Sequence, residues 1–300
     1  MYIIALINLL ALSILIARRE LPSGFPWNTS AVLGILLLLS GLHSGDISRA
    51  AGFVTLLASF IVASSFKVKV KKYFLPVAVL LTMFMVADAF RLTQTPDVSV
   101  TSNEVFEYFR RPYLLEHPNV KAAWLLLLSL SPVTLIGVAI AQSRGALLGY
   151  ITALAAYITP RRYYALAFVA GVVVMSIAAA FRPSTFFWRL DAWDEGLQIF
   201  LSHPLIGVGS GNYKNFSASG MPMAHNAALT IAAENGLIGL AAFAVWIIPV
   251  AGAVVRSKNI AKYNLLAFAV QQIVDDQWLH PISAILIGVV LAVCLNSERT

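Results

Sequence analysis

Residues 227–255, AALTIAAENGLIGLAAFAVWIIPVAGAVV, form a long apolar run whose one charged residue is Glu234. As a single helix at ~1.5 Å per residue the run would be ~43 Å long, whereas the hydrocarbon core of a bilayer is ~30 Å thick. We therefore predict a membrane-spanning helix whose first turns stand above the hydrocarbon. This places His225 in water or at the interface, and Glu234 near the outer boundary.

The composition of the whole chain is also typical of a membrane protein. Of its 300 residues, 59% are hydrophobic and 12% are charged, which is about half the charged fraction of soluble domains. The apolar runs are continuous and not alternating, which predicts helices and not a barrel. We predict an all-α, polytopic helical bundle of about ten hydrophobic segments, forming a single integral membrane domain over residues 1–300. The segments are 1–17, 29–43, 50–66, 73–90, 120–142, 145–159, 163–181, 227–255, 262–278 and 281–295.

The basic residues indicate how the chain crosses the membrane. They cluster at the ends of the segments, which places short basic loops in the cytoplasm and the polar loops 91–119 and 182–223 outside. The net charge of +7 thus reflects topology, and we predict no nucleic-acid partner. The outer loop 91–119 and the cytoplasmic Arg161-Arg162 should be separated by an odd number of membrane crossings, but only two apolar runs lie between them. Ser131-Pro132 interrupts the run 120–142, and a proline-broken, re-entrant segment is one resolution.

The second outer loop has internal order. Apolar residues recur in it at helical spacing, which predicts an amphipathic helix lying in the outer interface. These residues are Leu190, Trp193, Leu197, Phe200 and Leu201. His203-Pro204 ends the helix. Gly207, Gly209 and Gly211 follow, and they are predicted to make a tight turn or to bring backbone N–H groups to an anion.

Polar residues at the ends of the apolar runs are the candidates for chemistry. Arg144 and Arg189 each present a guanidinium that suits phosphate oxygens. The alternative for Arg144 is a basic loop residue that faces the cytoplasm, and the alternative for Arg189 is a charge in contact with water or lipid headgroups. Histidine titrates near neutral pH, so His225 suits a general base, with a polar helix-end residue as the alternative. Asp275 and Asp276 are candidates for binding sugar hydroxyls, with the capping of a short span as the alternative. The spacing of His, Cys, Asp and Glu matches no metal motif, so we predict no metal.

Several short motifs occur in a fixed order between residue 117 and about residue 250. They are His117-Pro118-Asn119, Ser143-Arg144-Gly145, Arg189 with Trp193, Pro204-Leu205-Ile206-Gly207-Val208-Gly209, His225-Asn226, and Glu234-Asn235-Gly236-Leu237-Ile238-Gly239. The ordered set resembles the O-antigen ligase and polymerase family, the bacterial membrane glycosyltransferases that act outside the inner membrane.

The resemblance implies a multi-pass inner-membrane protein whose residues 182–226 form a periplasmic catalytic loop. The donor would be a glycan on undecaprenyl pyrophosphate, and the acceptor a sugar hydroxyl of lipid A-core or of another lipid-linked glycan, with membrane lipids around the protein. His225 would be the general base, Arg144 and Arg189 would bind the donor pyrophosphate, and the anomeric carbon would invert without metal or other cofactor. The predicted sugar or acceptor contacts are Asn226, Glu234, Asp275 and Asp276.

Several functions stay open on this scaffold. An enzyme that transfers the glycan to lipid A-core is a ligase, and one that transfers it to another repeat unit is a polymerase. A third option is an enzyme that transfers the oligosaccharide to a protein. A non-enzymatic transporter or flippase of lipid-linked glycans is the alternative from another class. A transporter is expected to carry its polar groups near the midplane in repeated halves. The polar groups of this chain lie at one rim, which favours an enzyme.

Glu234 has an ambiguous position relative to the predicted base. It follows His225 by nine residues, which puts it on the opposite face of a continuous helix. Glu234 can therefore approach that histidine only if the helix breaks near Asn235-Gly236.

Overall fold

The computed structural model describes residues 25–65, 71–93, 118–159 and 183–296, together with Val169 and Val173. The predicted segment 1–17 lies outside the described residues, as does nearly all of 163–181. The regular structure of the described part is entirely helical, as predicted. Its helices are α1 (Trp27–Ser44), α2 (Ser48–Ser65), α3 (Lys71–Thr93), α4 (Pro118–Leu128), α5 (Pro132–Ala141), α6 (Arg144–Ile158), α7 (Pro183–Ser202), α8 (Tyr213–Phe216), α9 (Ala227–Arg256), α10 (Ala261–Gln271) and α11 (Pro281–Asn296).

Three of these helices, α1, α2 and α9, are long and apolar enough to cross a membrane. Five more apolar helical stretches of 10–17 residues are found within α3, α4, α5, α6 and α11. The predicted all-α fold is therefore confirmed, and three of its helices are candidate membrane spans. The total of about ten segments stays a prediction.

The predicted segment 262–278 is wrong in its second half, because α10 ends at Gln271. Polar side chains provide the backbone beyond it with partners that a helix would otherwise supply. The N–H of Asp276 donates to Oδ1 of Asp275 at 3.0 Å, and the N–H of Gln277 donates to Oε1 of Gln272 at 2.7 Å. Residues 272–280 are consequently a loop, and this loop carries the adjacent aspartates.

Two compact units make up the chain. The first comprises residues 1–68, 179–262 and 272–300, and within it α2 packs along α11. Small residues permit this close approach, since a Cβ on Gly288 would lie 2.4 Å from the carbonyl oxygen of Leu56. A Cβ on Gly52 would lie equally near the carbonyl oxygen of Leu279. Close backbone contact of this kind is typical of helix pairs in membranes.

The second unit comprises residues 69–178 and 263–271. The run 120–142 is broken in it as predicted, into α4 and α5. Ser131 caps α5 by accepting a hydrogen bond from the N–H of Thr134 at 3.3 Å, and Pro132 occupies the first helical position. Each piece is only ~15–17 Å long at ~1.5 Å per residue, so neither spans a bilayer by itself.

The long helix α9 is not continuous. At Gly236 the backbone leaves the helical region, with φ 63° and ψ −162°. The break frees backbone groups on both sides, and the loop that follows α7 supplies their partners. Four hydrogen bonds join loop and break: Val208 N–H to Ala233 O (3.1 Å), Gly209 N–H to Glu234 O (2.8 Å), Leu237 N–H to Pro204 O (2.8 Å) and Ile238 N–H to Leu205 O (3.2 Å).

Glycine is required where the loop meets the break. Gly207, Gly209 and Gly211 all have positive φ, which confirms the predicted turn. A Cβ on Gly207 would lie 2.3 Å from the carbonyl carbon of Glu234, and a Cβ on Gly236 would lie 2.3 Å from that of Leu205. Backbone therefore packs directly on backbone here, which a side chain at either position would prevent.

We expect Gly236→Ala to destabilise the protein by about 3 kcal/mol or more, because it combines left-handed strain with a backbone clash. Gly220→Ala is the matched control: Gly220 has a similar φ of 71°, but a Cβ there would meet nothing within 4 Å. Gly220→Ala should lower the free energy of unfolding by about 1 kcal/mol, because only the backbone strain is added. Thermal unfolding in detergent micelles measures both. Equal losses would show that the loop does not pack tightly against the break.

Candidate functional site

The site begins with α7, which forms the helix predicted in the second outer loop. Ala192, Gly196 and Ile199 make its buried face. The predicted apolar face is the opposite one, where Leu190, Leu197 and Leu201 are exposed. An exposed leucine face fits a helix that lies on lipid, and its position at the outer interface stays a prediction.

Several backbone and capping bonds fix His225 at the start of α9. Its φ of 51° is in the left-handed region, and its carbonyl oxygen accepts from Nε1 of Trp193 at 3.4 Å. Asn226 caps α9 by accepting from the N–H of Leu229 at 2.9 Å. The Asn226 amide nitrogen also donates to the carbonyl oxygen of Ile273 at 2.8 Å. Asn226 therefore holds the histidine against the loop 272–280.

The His225 ring contacts an aromatic ring on one side and a carboxylate on another. Its centroid lies 4.7 Å from that of Trp188. Its Nδ1 lies 3.6 Å from Oδ1 of Asp275, which is within ion-pair distance but longer than a hydrogen bond. Both ring nitrogens are buried, and neither has a hydrogen-bond partner among the described residues. A neutral ring with its proton on Nδ1, facing Asp275, leaves the Nε2 lone pair available to a substrate proton.

Asp275 is held as a carboxylate. Burial favours its protonated form, but the contact with His225, the hydrogen bond from Gln277 and the charge of Arg189 together lower its pKa below the usual range. The bond from Nε2 of Gln277 measures 3.0 Å. Ionised Asp275 stabilises a positive charge on the adjacent histidine, as a proton-accepting residue needs.

Arg189 is a half-buried cation with an unused, buried donor. Burial lowers its pKa, and the negative charge of Asp275 opposes that effect. Its Nε is buried and has no hydrogen-bond partner in the described part of the chain. A buried donor that is left unfilled is costly unless an anionic ligand occupies it.

Arg49, at the start of α2, was missed by the sequence analysis. Its Nε lies 3.2 Å from Oε2 of Glu234, and its Nη2 lies 3.0 Å from Oδ2 of Asp276. The only signal in the sequence is an arginine at the rim of an apolar run. Nothing in the local sequence indicates its two partners, which come from α9 and the loop 272–280.

The predicted site residues are distributed over both units. Arg189, His225, Asn226, Glu234, Asp275 and Asp276 all belong to the first unit. Arg144 belongs to the second, where it is the half-buried first residue of α6, behind the capping residue Ser143. The break at Gly236 is the one that the sequence analysis required for Glu234 to approach His225, but Glu234 pairs with Arg49.

The arrangement combines a proton acceptor with a place for an anion. His225 has a carboxylate partner and, within the described residues, an unbonded Nε2, and Arg189 has an unbonded Nε. Within the described ranges, no group of three or more His, Cys, Asp or Glu side chains could hold a metal ion. The side chains present therefore suit general-base attack with a negatively charged leaving group.

Part of the chain matches a known protein family. Residues 124–244 match the family described as O-antigen ligase. The matched range includes Arg144, Arg189, His225 and Glu234, and it excludes Arg49 and the aspartates of the loop 272–280. Comparison with curated proteins found no match.

Proposed function

We propose that this chain, a member of the O-antigen ligase/polymerase family, transfers a glycan from undecaprenyl pyrophosphate to a sugar hydroxyl of lipid A-core. The transfer takes place at the periplasmic face of the bacterial inner membrane. Members of the family are membrane glycosyltransferase-like enzymes with lipid-linked glycan substrates. The observation that carries the proposal is the pairing of His225 with buried Asp275, beside the unfilled donor of Arg189.

The reaction is a single displacement at the anomeric carbon. Nε2 of His225 takes the proton of the acceptor hydroxyl as its oxygen bonds to that carbon, and the bond to the pyrophosphate oxygen breaks. The electron pair leaves with the lipid pyrophosphate, and the configuration inverts. Asp275 stabilises the imidazolium and keeps the proton of the neutral ring on Nδ1.

Fixed cations stabilise the leaving group. Negative charge grows on the pyrophosphate as the glycosidic bond breaks, and a preformed guanidinium stabilises it without reorganisation. We assign this role to Arg189, whose Nε is unfilled. For Arg144, which belongs to the second unit, the same role is proposed from the family resemblance alone. The planar fork of arginine matches phosphate oxygens.

The buried carboxylates suit positioning better than sugar binding. Glu234 and Asp276 are 2% and 3% exposed, and both pair with Arg49. Asp275 is 1% exposed and faces His225. Of the four predicted sugar contacts, Asn226 is the most accessible, and we retain that role for it alone.

Product analysis tests the proposal. The purified protein in lipid nanodiscs is incubated with a carrier-linked repeat unit, with and without lipid A-core, and products are identified by mass. Product formed only with lipid A-core supports the ligase, whereas a ladder on the carrier identifies a polymerase. Movement of the carrier-linked glycan between leaflets of proteoliposomes, without a new glycosidic bond, would identify a transporter and contradict the proposal.

We expect Arg189→Ala to raise the donor concentration needed for half-maximal rate, or to lower turnover, by about 10–100-fold. The loss corresponds to about 1.5–3 kcal/mol for one charge-assisted hydrogen bond. Arg189→Lys should restore part of it, because the charge stays while the fork is lost. Steady-state kinetics with varied donor measures the effect. The control is Lys214→Ala, at an exposed position in the same outer loop, and an equal loss there would contradict the assignment.

A further inference from the structure

We propose that Arg49 is a positioning residue that fixes the His225–Asp275 pair and sets the charge around it. The inference rests on the proposed function for its catalytic meaning. The predicted coupling between Arg49 and the protonation of His225 does not depend on which substrate is used.

A bridging contact by one guanidinium carries this inference. Nε and Nη2 of Arg49 donate to the two carboxylate oxygens of Glu234 at 3.2 and 3.4 Å. The same Nη2 lies 3.0 Å from Oδ2 of Asp276. The side chains of Glu234 and Asp276 are 2% and 1% exposed, and that of Arg49 is 16% exposed. Ion pairs so shielded from water offset the cost of desolvation only when their geometry is good.

The two carboxylates belong to the two segments that carry the reacting pair. Glu234 lies in the short first part of α9, between the capping residue Asn226 and the break at Gly236. Asp276 directly follows Asp275. Arg49 therefore ties the segment that begins after His225 to the loop that holds its carboxylate partner. Because α2 packs along α11, the guanidinium is mounted on a well-supported helix.

The partner of His225 belongs to a cluster of five acidic and basic side chains. Asp275 contacts His225 directly, and Arg189 on α7 interacts with Asp275. Asp276, the next residue in the loop, and Glu234 on α9 both pair with Arg49 on α2. Replacing Arg49 by glutamine removes a positive charge from this cluster, and replacing Glu234 by glutamine removes an acidic group. Changes of charge act strongly at buried sites.

The test follows the protonation of His225 directly. The protein is labelled at its five histidines, and the pH midpoint of the His225 ring signal is measured by NMR in nanodiscs, with the signal identified by its loss in His225→Gln. We expect Arg49→Gln to move the midpoint upward by about half a pH unit or more, and Glu234→Gln to move it downward. The double variant should return it close to the wild-type value. Arg49→Lys, which keeps the charge, should change the midpoint least.

The outcomes separate positioning from packing. If Arg49 only packs, Arg49→Gln lowers the yield of folded protein without moving the midpoint, and this result overturns the proposal. If Arg49→Gln does not fold, Glu234→Gln decides, and an unchanged midpoint overturns the proposal. The titration needs no substrate. A shifted midpoint in a protein that makes no product would therefore support the Arg49 coupling while contradicting the proposed function.

Discussion

His225→Ala is expected to lower the rate of glycan transfer by about 10²–10⁴-fold, the usual contribution of a positioned general base. The ring is the only part of the residue lost, since its backbone oxygen still accepts from Trp193 and Asn226 still caps α9. The alanine variant should consequently insert and fold normally. Initial rates with the carrier-linked donor and lipid A-core, at saturating concentrations of both, measure the loss.

His203→Ala is the matched control for this variant. His203 also lies beside the glycine-rich loop, but its ring packs on Phe216 and its Nδ1 contacts Ser202. We expect the control to retain transfer within a factor of about three, because these contacts lie apart from the His225–Asp275 pair. Full activity of His225→Ala would rule out that residue as the base, and equal losses in both variants would indicate a general disturbance of the outer loop.

Asp275→Asn is expected to lower the turnover number by about 10²-fold or more, with a smaller effect on donor affinity. The amide removes the negative charge that stabilises the imidazolium. Its oxygen can still accept from the N–H of Asp276 and from Gln277, as the carboxylate does at 3.0 Å. The loop 272–280 should therefore keep its conformation, and the substitution should slow the chemical step. Comparison of kcat with the donor KM measures this split.

The dependence on pH adds a second readout for Asp275. The pKa of this carboxyl is lowered in the folded protein, so it stays ionised above its usual titration range and its stabilising contribution is lost only as the pH falls through the lowered value. The activity of the wild type should therefore not change near neutral pH through titration of Asp275.

The control for Asp275→Asn is Asp194→Asn, since Asp194 is exposed and accepts a hydrogen bond from Gln198, one turn along α7. If Asp275→Asn turns over as fast as this control, the histidine does not need its carboxylate partner.

Periodicity and local chemistry determined much of the fold. The apolar runs predicted helices because backbone groups in hydrocarbon must be satisfied within the chain. Ser131-Pro132 predicted the break in the run 120–142, because proline in a helix interior kinks or breaks the helix. Arg189 and His225 were named as candidates from their side-chain chemistry, since guanidinium suits pyrophosphate and imidazole suits proton transfer. Their roles stay a proposal.

Local sequence failed where polar side chains compete with helix geometry. The segment 262–278 reads as one apolar run, yet its aspartates and glutamines bond to nearby backbone and end α10 at Gln271. The sequence analysis named a helix break near Gly236 only as the condition for Glu234 to approach His225, and did not predict it. The backbone of residues 204–209 stabilises the break by hydrogen bonding to both sides of it.

The chain by itself determined which residue types are available and which segments are apolar, because both follow from composition and short-range periodicity. Only the tertiary structure decided which charges meet. Arg49 is 185 residues from Glu234 in the chain. Asp275 lies beside His225 in a loop that bonds to Asn226 and Ala227 at the start of α9. Ion pairs between distant segments depend on how helices pack, and no local pattern encodes a partner that far away.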